Sequence, residues 1–251
     1  MADFKDKFIT NFISEDRWKY ILDGLGVTLQ VTFFAVLMGI VLGLLIAIVR
    51  STHDKTGKLK VLNAICQLYL TIIRGTPVVV QLLIIYFVIF GSVDISKVVV
   101  AVLAFGINSG AYVAEIFRSG IMSIDKGQFE AASALGMSHG QTMRKIVLPQ
   151  VIRNILPATG NEFVINIKDT SVLNVISITE LFFQGNTVAQ QNYQYFQTFT
   201  IIAAIYFVLT FTVTRILRLV EKKLDSENYT TGANQMQLPL EKKVVEIGGE
   251  K

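Results

Sequence analysis

Cysteine occurs once in these 251 residues, at Cys66, which excludes a disulfide within the chain and any metal site built on several thiolates. Histidine occurs twice, as His53 and His139 in separate polar loops, so no imidazole cluster is expected to hold a metal. No Gly-x4-Gly-Lys-Ser/Thr phosphate loop is present, so the chain carries no nucleotide site of that kind. No charged-apolar-small pattern of a signal peptide opens the sequence. No internal repeat is visible, which argues against the doubled bundles of secondary transporters. Charge is also scarce. Only 17% of residues are charged against 52% hydrophobic, where a soluble domain carries about a quarter charged. The net charge of +4 is modest and reflects basic loops rather than a nucleic-acid surface.

The apolar residues fall in blocks long enough to cross a bilayer, which takes about 20 residues per helix. The pattern predicts an all-α membrane protein with five transmembrane helices. The spans are placed at residues 25–49, 63–90, 98–117, 155–181 and 196–217. Arg74, Gly75 and Pro77 interrupt the second, where a kink or broken turn is expected. Residues 1–23 form a polar leader in which Phe4, Phe8, Phe12 and Ile13 make a helix-like stripe. That segment reads as an interfacial helix or as a disordered leader. Residues 221–251 read as a soluble polar tail. Lys and Arg sort the loops. Arg50, Lys55, Lys58 and Lys60 follow the first span, and Arg118, Lys126, Arg144, Lys145 and Arg153 follow the third. Arg215, Arg218, Lys222 and Lys223 follow the fifth, whereas the even loops hold Lys97 alone. The odd loops and the C-terminus are therefore expected in the cytoplasm and the N-terminus outside. Lys5, Lys7, Arg17 and Lys19 vote the other way. Five spans are few for enclosing a transport path, so a dimer is expected.

The loop after the third span holds local structure of its own. Gln128 to Leu135 is rich in helix formers. Gly136 follows, at a position that favours a left-handed residue. Ser138 and Gln141 form a capping-box pair, Arg144 and Lys145 suit the last turn of a second short helix, and Pro149 is expected to end it. Leu135 and Met137 flank the hinge as exposed apolar residues that need a partner.

The full spacing, Glu130-Ala131-Ala132-x3-Gly136-x9-Ile146-x-Leu148-Pro149, resembles the EAA loop of ABC-importer permeases. Further motifs resemble the polar amino acid branch, the His/Glu/Gln/Arg/opine type. They are Arg74-Gly75-Thr76-Pro77 with Gln81, Ala111-Tyr112-x-Ala114-Glu115-x-Phe117-Arg118-x-Gly120-Ile121, Lys126-Gly127-Gln128, and Lys168-Asp169-Thr170-Ser171-Val172. The resemblance spans residues 25–220. It implies a type I ABC-importer permease fold over residues 24–220, with the EAA loop at 127–150. It implies that Glu130, Ala131, Ala132, Leu135, Gly136, Met137 and Ser138 dock on an ATPase subunit. It further implies a dimer of ABC ATPase subunits carrying the ATP and magnesium, a second permease copy or paralogue, and an extracytoplasmic solute-binding protein. The cargo would be a polar amino acid, and the location the cytoplasmic membrane of a bacterium. The chain itself would be a transporter subunit rather than an enzyme, without cofactor or nucleic-acid partner.

Charges inside the spans mark candidate substrate contacts, because an ionisable group in hydrocarbon costs about 2.5–3.5 kcal/mol on insertion scales. Glu162, Asn166 and Asp169 share one face of the fourth span. Asp169 falls near mid-membrane, Glu162 about 10 Å nearer the cytoplasm, and Arg74 between them in depth. Gln81 falls just outward of centre. The set Glu162, Asn166, Asp169, Arg74 and Gln81 predicts a mid-membrane pocket, with carboxylates for an ammonium group and Arg or amides for a carboxylate. The competing reading is an internal salt bridge from Arg74 to Glu162 or Asp169. Lys168 is expected to pair with Glu115 or to snorkel. Asn108-Ser109-Gly110 predicts a close helix contact of the small-residue type. An ion-coupled transporter or channel using Glu162 and Asp169 is the alternative function, but it leaves the EAA-like loop unexplained. Two acids on one face tilt the cargo towards a cationic amino acid.

Overall fold

The computed structural model describes residues 8–226 and, among them, contains helices and turns but no strand. The ends of the expected leader, residues 1–7, and most of the expected tail, residues 227–251, lie outside the described residues. The first long helix, α1, runs over Arg17–Thr56 and so begins eight residues before the expected span. At about 1.5 Å per residue it is roughly 60 Å long, twice the hydrocarbon thickness, so both ends project beyond the apolar layer. Arg17 anchors its start, donating to the Thr10 carbonyl at 2.8 Å and pairing with Glu15 at 3.0 Å.

The expected second span is two helices. α2, Lys60–Gly75, stops where Thr76 turns extended before Pro77. α3, Val78–Leu83, then continues through a wide turn at Ile84–Ile89. The two are bent by 109°. Proline supplies no N–H and disfavours helix in the residue before it, which is why the break falls at Thr76. α4, Lys97–Met122, lies along α1 and forms with it the centre of the molecule. α5 is Lys126–Ala134 and α6 is His139–Thr142. α6 does not end at Pro149. It passes through a wide turn at Met143–Val147 into α7, Leu148–Asp169. Pro149 sits in the first turn of α7, where an N–H is dispensable and the preceding wide turn shifts the hydrogen-bond register.

α7 ends at Asp169, well short of Leu181, and the chain tightens through a 3₁₀ turn at Thr170–Ile176. A left-handed Ser177 reverses it. The segment read as a fourth loop is mostly helix, α8, Leu181–Asn192. α9, Tyr195–Ser226, completes the described chain. Among the described residues three helices are long and apolar enough to cross a membrane, ending at Thr56, Met122 and Leu224, and the bent α2–α3 pair would make a fourth. α7 is not among them, because Gln150, Arg153, Asn154, Asn161 and Glu162 dilute its apolar run.

The apolar core joins α1, α3, α4 and the 3₁₀ turn through Val31, Ala35, Leu82, Val100, Ala104, Phe105 and Leu173. α1 and α4 approach closely because Gly39 and Gly43, one turn apart, meet Ser109, Gly110, Val113 and Ala114. This is the close contact expected of Asn108-Ser109-Gly110, with its glycine partners on the first span. A second device locks the α8 end. Glu180, fully buried, accepts from the N–H groups of Phe182 at 2.8 Å and Phe183 at 2.6 Å, and from the Tyr206 hydroxyl at 3.0 Å. It caps α8 and ties it to α9 in one step. Replacing Glu180 with Ala strands those donors, and a loss of about 2 kcal/mol is expected. Thermal unfolding in detergent measures it, and an unchanged midpoint would count against the capping role.

Candidate functional site

Glu162 and Asn166 are one helical turn apart on α7 and both are 5% exposed; Asp169, one turn on, is half-buried. All three line a cavity of about 310 Å³. Its opposite wall is the break between α2 and α3, at Thr76, Pro77 and Val78, and its side is α4, at Phe105, Asn108 and Tyr112. The interrupted helix therefore opens the space that the acidic face of α7 fills. Irregular backbone at membrane depth is tolerated where it lines such a cavity.

The freed carbonyls at the break are satisfied from within. The Gln81 amide donates to the carbonyls of Ile73 at 2.8 Å and Thr76 at 3.0 Å, and to the Thr76 hydroxyl at 2.8 Å. Its own oxygen accepts from the Asn108 amide at 3.0 Å. Gln81 thus stands behind Asn108, spent on holding the break, and does not line the cavity. The Tyr69 hydroxyl donates to the Ile107 carbonyl and fixes α2 against α4 beside it.

Arg74 is not brought to Glu162 or Asp169. It is exposed, lies over the Tyr112 ring at 5.6 Å from the centroid, and lines a separate cavity. Among the described residues Glu162 and Asp169 form no ion pair, so the salt bridge of the competing reading is absent. Lys168 does not pair with Glu115 either. It is exposed in a groove with Phe182, Phe199 and Tyr206, a turn away from the α7 face that carries Glu162. Glu115 instead pairs with Arg50 and lies 4.0 Å from Arg118, which also holds Asp54 at 2.9 Å. These pairs clamp the Thr56 end of α1 to the Met122 end of α4. Thr76, Asn108 and Tyr112 were missed as lining residues. Asn108 and Tyr112 are polar residues four apart in a largely apolar span, a spacing that puts them on one face.

The Gly136 hinge and the Ser138 cap of the EAA-like loop have the geometry their sequence implies. Asp125 caps α5, accepting from the Gly127 N–H at 2.6 Å. Gly136 is left-handed at φ +72°, and the Met137 N–H reaches back to the Ala132 carbonyl at 3.0 Å, a Schellman closure. Ser138 and Gln141 form both bonds of a capping box. Ala132 is buried, whereas Glu130 and Ala131 are exposed and Leu135, at the tip, is 79% exposed. The base of the loop is anchored by Ile124, Val147 and Val151, with Phe129 packed on them and Lys55 of α1 over its ring at 4.9 Å.

A helical chain with several helices apolar enough to cross a membrane, and with a polar cavity at a broken helix, has the architecture of a membrane permease. The chain belongs to the family of binding-protein-dependent transport system inner membrane components, whose model matches residues 39–226. A putative glutamine transport system permease protein of Rickettsia typhi is 39% identical over 207 residues, covering 82% of this chain and 93% of its own. The glutamine transport system permease protein of Escherichia coli K12 is 36% identical over 207 residues, covering 81% and 92%. Among solved structures, an amino acid ABC transporter with histidines matches with a TM-score of 0.75 and 41% identity, over 84% of this chain and 98% of its own. The methionine ABC transporter MetNI, in an inward-facing form, shares the fold with a TM-score of 0.69 at 17% identity, over 84% and 99%. The chain is accordingly a permease subunit of an ABC importer, and the ion-coupled alternative is not favoured.

Proposed function

We propose that this subunit imports a polar amino acid, and that the cavity between the α2–α3 break and α7 is where the amino acid sits in transit. The cavity carries the reading. It offers two carboxylates, Glu162 and Asp169, and the amides of Asn108 and Asn166. The carboxylates suit an ammonium group, and amide N–H groups suit the amino acid's carboxylate. Among the described residues no cation lines the same space. With Arg74 removed from it, the balance favours a cationic amino acid, although the two glutamine permeases above are relatives.

The remaining assignments follow the charge pattern and the family. α7 is the fourth of five spans, carried across by shielding its charges in the bundle. The N-terminus lies outside and the C-terminus in the cytoplasm of a bacterial inner membrane. Residues 24–220 are the permease domain, flanked by an extracytoplasmic leader and a cytoplasmic tail. A solute-binding protein delivers the amino acid to a permease pair formed with a second copy or a paralogue. A dimer of ATPase subunits binds ATP and magnesium and closes on the loop, where Glu130, Ala131, Ala132, Leu135, Gly136, Met137 and Ser138 make the contact. Closure turns the cavity from one side to the other.

Uptake by proteoliposomes holding the assembled transporter tests the cavity. Glu162→Gln and Asp169→Asn should each lower uptake about 10- to 100-fold, the effect of losing one charge-assisted contact. Undiminished uptake in both variants, with assembly intact, would reject the cavity as the substrate site.

A further inference from the structure

Arg74 has no acidic partner among the described residues, and the substrate cavity does not account for it. It lines a second polar cavity of about 710 Å³ with Arg50, Gln67, Thr71, Tyr112 and Glu115. Arg50 is neutralised there by Glu115. Arg74 is left as the uncompensated charge of that cavity. Gln67, Thr71 and Arg74 repeat at four and three residues, so they make one polar track along α2. The track runs from the helix break at Gly75 towards the Lys60 end, which the loop charges assign to the cytoplasm. The two cavities share one wall, the side chain of Tyr112, which lines both. The Arg74 guanidinium stands over that ring at 5.6 Å. A cation–π contact of this kind is weak enough to break in each transport cycle.

We propose that the second cavity is the exit vestibule for the amino acid, that Tyr112 is the partition between the two, and that Arg74 receives the departing α-carboxylate. The proposal rests on the assignment of the first cavity to substrate. The chemistry is complementary in sequence. The acids of the first cavity hold the ammonium end, and the free guanidinium of the second matches the carboxylate end. An amino acid carries both groups, so it exchanges one charged partner for the other as it passes Tyr112.

The experiment uses the assembled transporter in inside-out vesicles, with Cys66→Ala removing the native thiol. A membrane-impermeant thiol reagent is added to the cytoplasmic face. Thr71→Cys, in the vestibule, should react quickly. Ile165→Cys, in the first cavity, should react about tenfold more slowly, as for a partition open a tenth of the time. Adding Tyr112→Ala should bring Ile165→Cys to the rate of Thr71→Cys, and adding Tyr112→Phe should not. Equal labelling of Ile165→Cys with Tyr or Ala at 112 would overturn the partition. In uptake assays Arg74→Gln should lower the maximal rate about tenfold, the effect of one charge-assisted contact, at unchanged half-saturation. Arg74→Lys should restore part of the rate. A shift in half-saturation alone, or no change at all, would overturn the role given to Arg74. Loss of uptake in Glu162→Gln and Asp169→Asn beside normal behaviour of the Tyr112 and Arg74 variants would reject the vestibule and leave the substrate cavity standing.

Discussion

Leu135→Asp is expected to abolish uptake while the chain still folds and inserts. Leu135 is 79% exposed and lies just past α5, where its backbone N–H closes on the Ala131 carbonyl at 3.1 Å. The side chain is not part of the apolar base formed by Ile124, Val147 and Val151. Its replacement therefore costs the isolated chain within about 0.5 kcal/mol, as for other exposed positions. On the proposed docking, the cost falls on the complex with the ATPase. A leucine presented at a rigid tip is suited to an apolar cleft, and an aspartate buried there unpaired costs several kcal/mol. That is a loss of at least about 100-fold in affinity for the ATPase. Co-purification of the ATPase subunit and substrate-stimulated ATP hydrolysis measure it, with Leu135→Met as the control that keeps apolar volume. Full co-purification and full uptake by Leu135→Asp would remove the docking assignment. Gly136→Val probes the same contact through the backbone. There is open space around Gly136, but its φ of +72° is foreign to a β-branched residue. It should weaken coupling less than Leu135→Asp, because strain reorients the tip without placing a charge in the cleft.

What the sequence made legible was local. Pro77 and Gly75 announced the broken second span, because a missing N–H and a missing side chain act where they stand. Ser138, Gln141 and Gly136 announced a cap and a left-handed hinge for the same reason. Glu162 and Asn166 fell on one face by helical spacing alone. The failures concern partners. Arg74 was near enough in depth to pair with the α7 acids, but depth says nothing of rotation about the bundle, and α4 interposes Tyr112. Glu115 was offered to Lys168, yet the Thr56 end of α1 brings Arg50 to it first. α7 was drawn through to Leu181 because Val172, Leu173, Val175 and Ile176 continue the apolar run. The turn there is set by Ser177 and by Glu180, which caps α8 and also accepts from Tyr206 on a distant helix. Pro149 looks like a stop in the sequence because the wide turn before it carries no sequence mark.

Gly43→Leu is expected to collapse the fold at the α1–α4 seam, with a loss of at least about 3 kcal/mol, the upper range for overpacking. A β-carbon on Gly43 would lie 2.6 Å from Val113 Cγ1 and 2.8 Å from the Ala114 backbone nitrogen. Val113 could rotate, but the Ala114 backbone belongs to α4 and cannot yield without separating the helices. Gly39, one turn earlier, would meet the Ser109 side chain at 2.7 Å, so the seam has no slack along the stripe. In hydrocarbon there is no hydrophobic gain to hold the helices together once contact is lost, since lipid tails are as apolar as leucine. The same substitution at Gly26 separates packing from helix propensity. Gly26 lies on the same helix with nothing within 4 Å of its would-be β-carbon. There leucine should be neutral or stabilise by up to about 1 kcal/mol, the propensity difference alone. The yield of folded, monodisperse protein in detergent and its thermal midpoint distinguish the two variants. Equal behaviour of Gly43→Leu and Gly26→Leu would show that the close approach is not what holds α1 to α4. The consequence would reach the cavity beside α7, because Asn108 and Tyr112 stand on the α4 segment that Gly39 and Gly43 position.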